Sequence, residues 1–202
     1  MRKLGILLSG RGSNFEAIAD SIEAGRIEAE IAIVISNTPN SRGLELASER
    51  GFETACIISK GLDREEYDRQ VVRRFKEKQV DLVCLAGFMR LLSAYFVNEF
   101  RGRILNIHPS LLPSFPGLEA QHQALEYGTK ISGCTVHFVD EKLDAGPILI
   151  QASVPILNDD TEESLSARIL AQEQRIYTEA INLVMNGGLQ IEGRRVICVP
   201  QQ

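Results

Sequence analysis

An α/β fold, built on an open and mostly parallel sheet with helices on both faces, is what the sequence predicts, and three observations predict it. Short apolar runs alternate with amphipathic ones over the first 140 residues. A glycine-rich turn joins the first apolar run to the first amphipathic one. Beyond residue 130 the pattern changes to two extended runs and one long helix, so the C-terminal strands are expected to be partly antiparallel.

The elements follow in order. Leu4 to Leu8 is an apolar run of buried-strand length, and Phe15 to Ala24 has helical spacing. Ile31 to Ser36 is the next strand, Leu44 to Arg50 the next helix, and Thr54 to Ile58 a third strand. Asp63 opens an amphipathic helix through Lys78 with Tyr67, Val71, Val72 and Phe75 on one face. Leu82 to Ala86 and Ile104 to His108 are further buried strands. Ser132 to Val139 and Ile148 to Val154 are extended runs flanking Asp140 to Pro147. Thr161 starts a long helix ending near Asn186-Gly187-Gly188, with Glu162 and Glu163 beside the positive end of its dipole. Leu189 to Val199 has the pattern of a hairpin turned at Glu192-Gly193. Strand–helix alternation of this kind makes the sheet Rossmann-like, and the absence of repeats and long linkers favours one domain over residues 1–202.

Composition narrows the function classes. The net charge is -5, and no basic patch is evident, so nucleic acid is not the expected partner. No apolar stretch reaches the ~20 residues of a membrane span, and the N-terminus lacks a secretory signal. The chain is expected in the cytoplasm, with no membrane partner. Cys56, Cys84, Cys134 and Cys198 are widely spaced in apolar runs, which predicts reduced, buried core thiols.

Ser9-Gly10-Arg11-Gly12-Ser13-Asn14 lies between the first strand and first helix. Glycines let a backbone approach a ligand, and a helix N-terminus favours an anion. Two readings stay open: a phosphate site, or a tight turn capped by Ser13 or Asn14. A dinucleotide is disfavoured, because Phe15 holds the third glycine position and the second strand ends in Ser36-Asn37 rather than an acid. No G-K-[ST] follows, so the phosphate expected is a monoester.

Asn106-Ile107-His108-Pro109-Ser110-Leu111-Leu112-Pro113 is the most informative segment. Asn106 and His108 leave the same face of a strand, at the C-terminal end where open α/β sheets carry their sites. They are a reactive pair or a hydrogen-bonded core pair. Asp140-Glu141-Lys142-Leu143-Asp144-Ala145-Gly146-Pro147 is an acidic loop between strands. Asp140 and Glu141 read as solvated. Asp144 gains a role if it meets His108, since a carboxylate orients an imidazole and favours its charged form. His122 and His137 are less promising, and the three histidines fit no common metal-ligand spacing.

The run Gly87-Phe88-Met89-Arg90, the Asn106 to Pro113 segment, Leu143-Asp144-Ala145-Gly146-Pro147 and Gly10-Arg11-Gly12-Ser13-Asn14 together resemble the folate-dependent formyltransferases, over essentially the whole chain. The resemblance is closest to members that formylate glycinamide ribonucleotide in purine biosynthesis. It implies 10-formyltetrahydrofolate as cosubstrate, no metal, and a monomer or homodimer. Gly12, Ser13 and Asn14 would bind the ribonucleotide phosphate, with Glu173 near the ribose. Arg64, Met89, Arg90, Leu91, Leu92, Asn106, Asp140 and Leu143 would contact the folate. Asn106, His108 and Asp144 would carry the chemistry. Residues 1–100 would mainly hold the ribonucleotide phosphate, and 101–202 would carry catalysis and folate binding.

One departure stands out. The family often has P-G-x-H-x-H where this chain has Pro116-Gly117 followed by Glu119 and Gln121, with a histidine only at 122. Within the family, tRNA-directed members carry a further C-terminal domain, hydrolases an N-terminal regulatory one, and sugar-nucleotide members lack need of a phosphate-monoester loop. Length, charge and the glycine turn weigh against all three.

Overall fold

The first apolar run forms β1 (Arg2–Leu8), buried from Leu4 to Leu8. It runs into Gly10 and Gly12 and then α1 (Ser13–Glu23). β2 (Ala29–Ser36), α2 (Arg42–Glu49) and β3 (Thr54–Cys56) follow. α3 (Arg64–Glu77), β4 (Leu82–Leu85), α4 (Ala94–Glu99) and β5 (Ile104–His108) complete the alternation. The computed structural model describes residues 1–198. The chain divides into two units, Met1–Asn106 and Ile107–Gln202, with the division inside β5.

In the first unit the strand order is β3-β2-β1-β4-β5. Every pair is parallel. That is why β1 and β4 read as unbroken apolar runs: strands covered by helices have no polar face. Gly5 of β1 admits the Phe75 ring of α3, because a Cβ there would meet Cε1 at 2.7 Å. Phe75 in turn meets Phe96 and Phe100 edge-on, at 6.3 and 5.9 Å between centroids. α3 starts where its cap signal is strongest, with the Asp63 carboxylate accepting from the Glu66 N–H at 3.0 Å. α4 has only six residues, too few to show a helical period in sequence. Its cap Ser93 is anchored by the buried Asp68, which accepts the Ser93 N–H at 2.6 Å.

The second unit holds α5 (Ala120–Tyr127), β6 (Ile131–Phe138), β7 (Ile148–Pro155), α6 (Glu162–Asn186), β8 (Leu189–Glu192) and β9 (Arg195–Cys198). The two extended runs pair antiparallel, with a register shift between Val136 and His137. Gly133 keeps that pair close, since a Cβ there would meet the Ala152 carbonyl oxygen at 2.0 Å and Leu111 at 2.8 Å. Thr161 caps α6 in a capping box with Ser164. β8 and β9 form the predicted hairpin, antiparallel from Leu189↔Cys198 to Glu192↔Arg195. Val199, assigned to it from sequence, lies outside the described residues. The mostly parallel sheet with antiparallel C-terminal strands is therefore as predicted.

The cysteines need a correction. Cys84 and Cys134 are buried, but Cys56 and Cys198 are exposed. Cys56 ends the three-residue edge strand β3, and Cys198 ends the four-residue β9, which pairs with β7 at Ile148↔Arg195, away from the cysteine. No helix among the described residues is long and apolar enough to cross a membrane.

Candidate active site

In the first unit the glycine turn is held between α1 and the start of α2. Gly12 is the N-cap of α1, with φ 86 and no side chain to cap it, so neither Ser13 nor Asn14 takes the cap position. A Cβ on Gly12 would meet Gly43 Cα at 2.4 Å. The Gly43 N–H donates to the Gly10 carbonyl at 2.9 Å, so the first turn of α2 is packed onto the loop. Ser13 is half-buried and Asn14 is 8% exposed.

The residues expected to meet folate in this unit stand as follows. Arg64 is the first residue of α3 and is exposed. Met89 and Leu91 are exposed, 66% and 45%, while Leu92 is buried. The Arg90 guanidinium lies over the Tyr67 ring at 5.0 Å, and that ring stacks on Phe88 at 6.4 Å. Exposed Met89 and Leu91 beside a fixed cation make a surface suited to a flat, partly anionic ligand. Asn106 is half-buried on β5, two residues before His108.

In the second unit His108 and Asp144 meet. His108 Nδ1 lies 3.4 Å from Asp144 Oδ2, with both side chains nearly buried. The other ring nitrogen, Nε2, is 2.9 Å from the Phe115 carbonyl oxygen. A carbonyl only accepts, so Nε2 is the donor. Asp144 is held in turn by the Gly117 N–H at 2.8 Å, and its own backbone adopts a left-handed φ of 47. Asp140 accepts the Lys142 N–H at 2.9 Å, and Leu143 is 52% exposed on the same loop. Glu173 is buried on α6. Burial, with Glu173 as the second cause, pushes the Cys134 thiol up to about 12.

Sequence reasoning passed over His137. Its Nε2 is 3.8 Å from Asp144 Oδ1, and its Nδ1 is 2.9 Å from the Phe138 carbonyl oxygen. The signal was present: Thr135 and His137 share one face of β6, so period two would have flagged both. Thr135 Oγ1 donates to the Ser110 carbonyl at 2.7 Å and accepts the Leu112 N–H at 3.1 Å. Gln151 adds a bond to the Leu112 carbonyl at 3.0 Å. Together they fix the loop that follows His108. His122 lies outside this network, on exposed α5, with Nδ1 3.6 Å from Glu162 and Nε2 4.0 Å from Glu126. The segment that departs from the family pattern thus contributes a backbone donor, Gly117, rather than an imidazole. Among the described residues, no cluster of three or more His, Cys, Asp or Glu could hold a metal ion.

Burial holds the His137 imidazole below the ordinary histidine value, against the opposing pull of the Phe138 carbonyl and Asp144. Below about pH 6.5 the unfolded chain takes up a proton there that the folded chain resists. Stability carried by neutral His137 is therefore present above that pH and lost as pH falls through the lowered folded value. His137→Gln should lose less melting temperature between neutral and mildly acidic pH than wild type, by scanning calorimetry. Parallel curves would contradict this account.

The chain has relatives among known proteins. A family model described as formyl transferase matches residues 2–181. Phosphoribosylglycinamide formyltransferase of Escherichia coli (strain K12) is 43% identical over 187 residues, covering 92% of this chain and 88% of that one. The trifunctional purine biosynthetic protein adenosine-3 of Drosophila melanogaster is 50% identical over 189 residues. The match covers 92% of this chain but only 14% of that longer relative. The crystal structure of glycinamide ribonucleotide transformylase 1 from Symbiobacterium toebii superposes with a TM-score of 0.96 at 50% identity, covering 99% of this chain and 95% of that one. With the family model spanning nearly all of its described length and both parts of the His108–Asp144 constellation, the chain belongs to the formyl transferase family.

Proposed function

We propose that the chain transfers the formyl group of 10-formyltetrahydrofolate to the amine of N1-(5-phospho-D-ribosyl)glycinamide, giving formylglycinamide ribonucleotide for purine synthesis. The observation that carries the reading is the buried His108–Asp144 pair, 3.4 Å apart at the end of a strand that also bears Asn106, in a formyl transferase.

The amine nitrogen attacks the formyl carbon and forms a new C–N bond. The carbonyl oxygen becomes an oxyanion, which requires donors already in place. Asn106 supplies an amide N–H, and His108 its Nε2–H, which passes from the Phe115 carbonyl to the oxyanion while Nδ1 stays on Asp144. Asp144, kept in position by Gly117, faces His108 with its charge and organises a water. That water carries the proton lost by the amine to folate N10, and the C–N10 bond breaks. Direct transfer needs no covalent enzyme intermediate. Gly12, Ser13 and Asn14 bind the phosphate, and Glu173 the ribose. Arg64, Met89, Arg90, Leu91, Leu92, Asn106, Asp140 and Leu143 meet the folate. We read residues 1–202 as one formyltransferase domain, residues 1–100 mainly holding the ribonucleotide phosphate and 101–202 carrying catalysis and folate binding. It works in the cytoplasm as a monomer or homodimer, on small molecules alone.

The test is loss of 10-formyl folate by absorbance, with and without glycinamide ribonucleotide. Turnover that depends on the ribonucleotide is expected, and equal turnover without it would replace transfer by hydrolysis. A second test addresses the phosphate. Gly12→Ala places a methyl against Gly43 backbone at a left-handed φ, so the loop must shift. The ribonucleotide KM should rise about tenfold or more, the cost of one misplaced charge-assisted contact, with the folate KM within about threefold. A folded Gly12→Ala with unchanged ribonucleotide KM would remove the phosphate assignment.

A further inference from the structure

Where β1 ends, its pairing with β4 continues beyond the last regular pair, Leu7↔Leu85. The Ala86 N–H donates to the Leu7 carbonyl at 2.8 Å, and the Ser9 N–H to the Gly87 carbonyl at 3.0 Å. Two residues beyond Gly87 the Met89 N–H also turns to Ser9. The Ser9 carbonyl does not receive it, having turned to accept Thr38 Oγ1 at 2.9 Å. The Ser9 hydroxyl receives it instead, at 2.8 Å. The same hydroxyl donates to Asn37 Oδ1 at 2.6 Å. Asn37 is itself held by Ser59, its Nδ2 donating to Ser59 Oγ at 3.3 Å and its carbonyl accepting the Ser59 N–H at 3.2 Å. Ser9 thus uses its N–H, its carbonyl and both functions of its hydroxyl, and ties together three segments of the first unit.

Two of those segments are the ones the function uses. Ser9 directly precedes the glycine turn, whose Gly10 carbonyl is fixed by Gly43. Met89 opens the segment that continues through Arg90 to Leu92. Both are short, lie outside regular structure, and pass through left-handed glycines, Gly12 at φ 86 and Gly87 at φ 75. One backbone bond, from the Ser9 N–H to the Gly87 carbonyl, ties the two segments, and the Ser9 hydroxyl bond to the Met89 N–H extends that tie to the start of the second. Only a small side chain with one oxygen that both donates and accepts fits that post. Alanine would leave the Met89 N–H and the Asn37 amide oxygen without it.

We propose that Ser9 is a positioning residue that couples the two substrate segments: a ribonucleotide phosphate at Gly12–Asn14 orders the turn and, through the Ser9 hydroxyl, the Met89–Leu92 segment that receives the folate. This rests on the assignment of those segments under the proposed function. The coupling is reciprocal, so each substrate tightens the other by the same factor. One hydrogen bond of this kind supports a factor of about 3 to 10.

The experiment measures the Kd of a non-reactive folate analogue, alone and with saturating glycinamide ribonucleotide, in wild type, Ser9→Ala and Ser9→Thr. Hydrogen exchange of the Met89 amide is followed by NMR in the same samples. In wild type, ribonucleotide should tighten the analogue about 3- to 10-fold and slow Met89 exchange by a similar factor. In Ser9→Ala both effects should vanish, while kcat at saturation of both substrates stays within about threefold. Ser9→Thr keeps the hydroxyl and should retain both effects. Coupling undiminished in Ser9→Ala overturns the inference, as does its loss in a folded Ser9→Thr. If Ser9→Ala does not fold, Ser9→Thr decides. A wild type that turns over normally yet shows no coupling overturns the inference alone. A wild type with no ribonucleotide-dependent turnover overturns the functional reading and this inference with it.

Discussion

Asp144→Asn is expected to lower kcat by about 10²–10³-fold, the usual cost of losing one electrostatic element that acts in the transition state, while both KM values stay within a few-fold. The substitution keeps the shape. An asparagine oxygen can still accept the Gly117 N–H that now reaches Oδ2 at 2.8 Å, so the loop should stay in place. What goes is the negative charge 3.4 Å from His108 Nδ1. That charge matters most when the oxyanion forms and the ring must stay a full donor. It matters little for binding, which predicts a loss in kcat and not in KM. His108→Asn should be at least as damaging, because the donor itself goes. If the two act as a unit, the double variant should be hardly worse than the worse single one. Steady-state kinetics on the three variants is the measurement. Strict additivity would separate His108 from Asp144.

Gly146→Ala is expected to have the second largest effect, by geometry rather than charge. A Cβ at Gly146 would lie 1.8 Å from the Phe138 carbonyl oxygen and 3.3 Å from the Asp140 nitrogen. Both neighbours are backbone, so no side chain can swing aside. The Phe138 N–H bond to the Pro147 carbonyl, 2.9 Å, closes the base of the same loop. The methyl must therefore lift the 140–147 loop, with Asp144 two residues away. A displacement of about 1 Å at a reacting group costs on the order of 10²-fold in rate, and that loss in kcat is predicted. Overpacking of this kind also costs about 1–3 kcal/mol of stability, and each kcal/mol moves Tm by about 2–4 °C at this chain length. A Gly146→Ala variant with wild-type kcat would mean that Asp144 is not held from this end of its loop.

Local signals made much of the fold legible. The Asp63 cap and the Tyr67, Val71, Val72, Phe75 stripe bound α3 to within a residue of its observed span. Thr161, followed by two acids, marks the start of α6 for the same reason: the first helical N–H groups need acceptors. β5 was read with its observed bounds, because it is short, wholly apolar around Asn106, and stopped by Pro109. Other features depend on partners distant in sequence. The strand read as Thr54 to Ile58 pairs only over Thr54–Cys56, because the Ile57 N–H is the last to reach β2, at Ser36. α4 went unread because six residues carry no period.

The site divides the same way. The placement of Asn106 and His108 on one strand, and of the glycine turn before a helix, was legible because strand alternation and glycine chemistry are local. The approach of Asp144 to His108 was not, since it depends on the positive φ of Asp144 and a donor from Gly117, 27 residues away. The partner of His137 was hidden for a related reason. In sequence His137 is one histidine in an apolar strand, and only the folded 140–147 loop brings the Asp144 carboxylate to within 3.8 Å of its Nε2.

The most direct test of the account follows the formyl carbon itself. Folate labelled with ¹³C at the formyl group is mixed with wild-type enzyme and glycinamide ribonucleotide, and the label is tracked by NMR. The account predicts that the label moves from N10 to the glycinamide nitrogen in one-to-one proportion with folate consumed, and that His108→Asn slows this by at least about 10²-fold. Label appearing as formate, at a rate indifferent to the ribonucleotide, would contradict it.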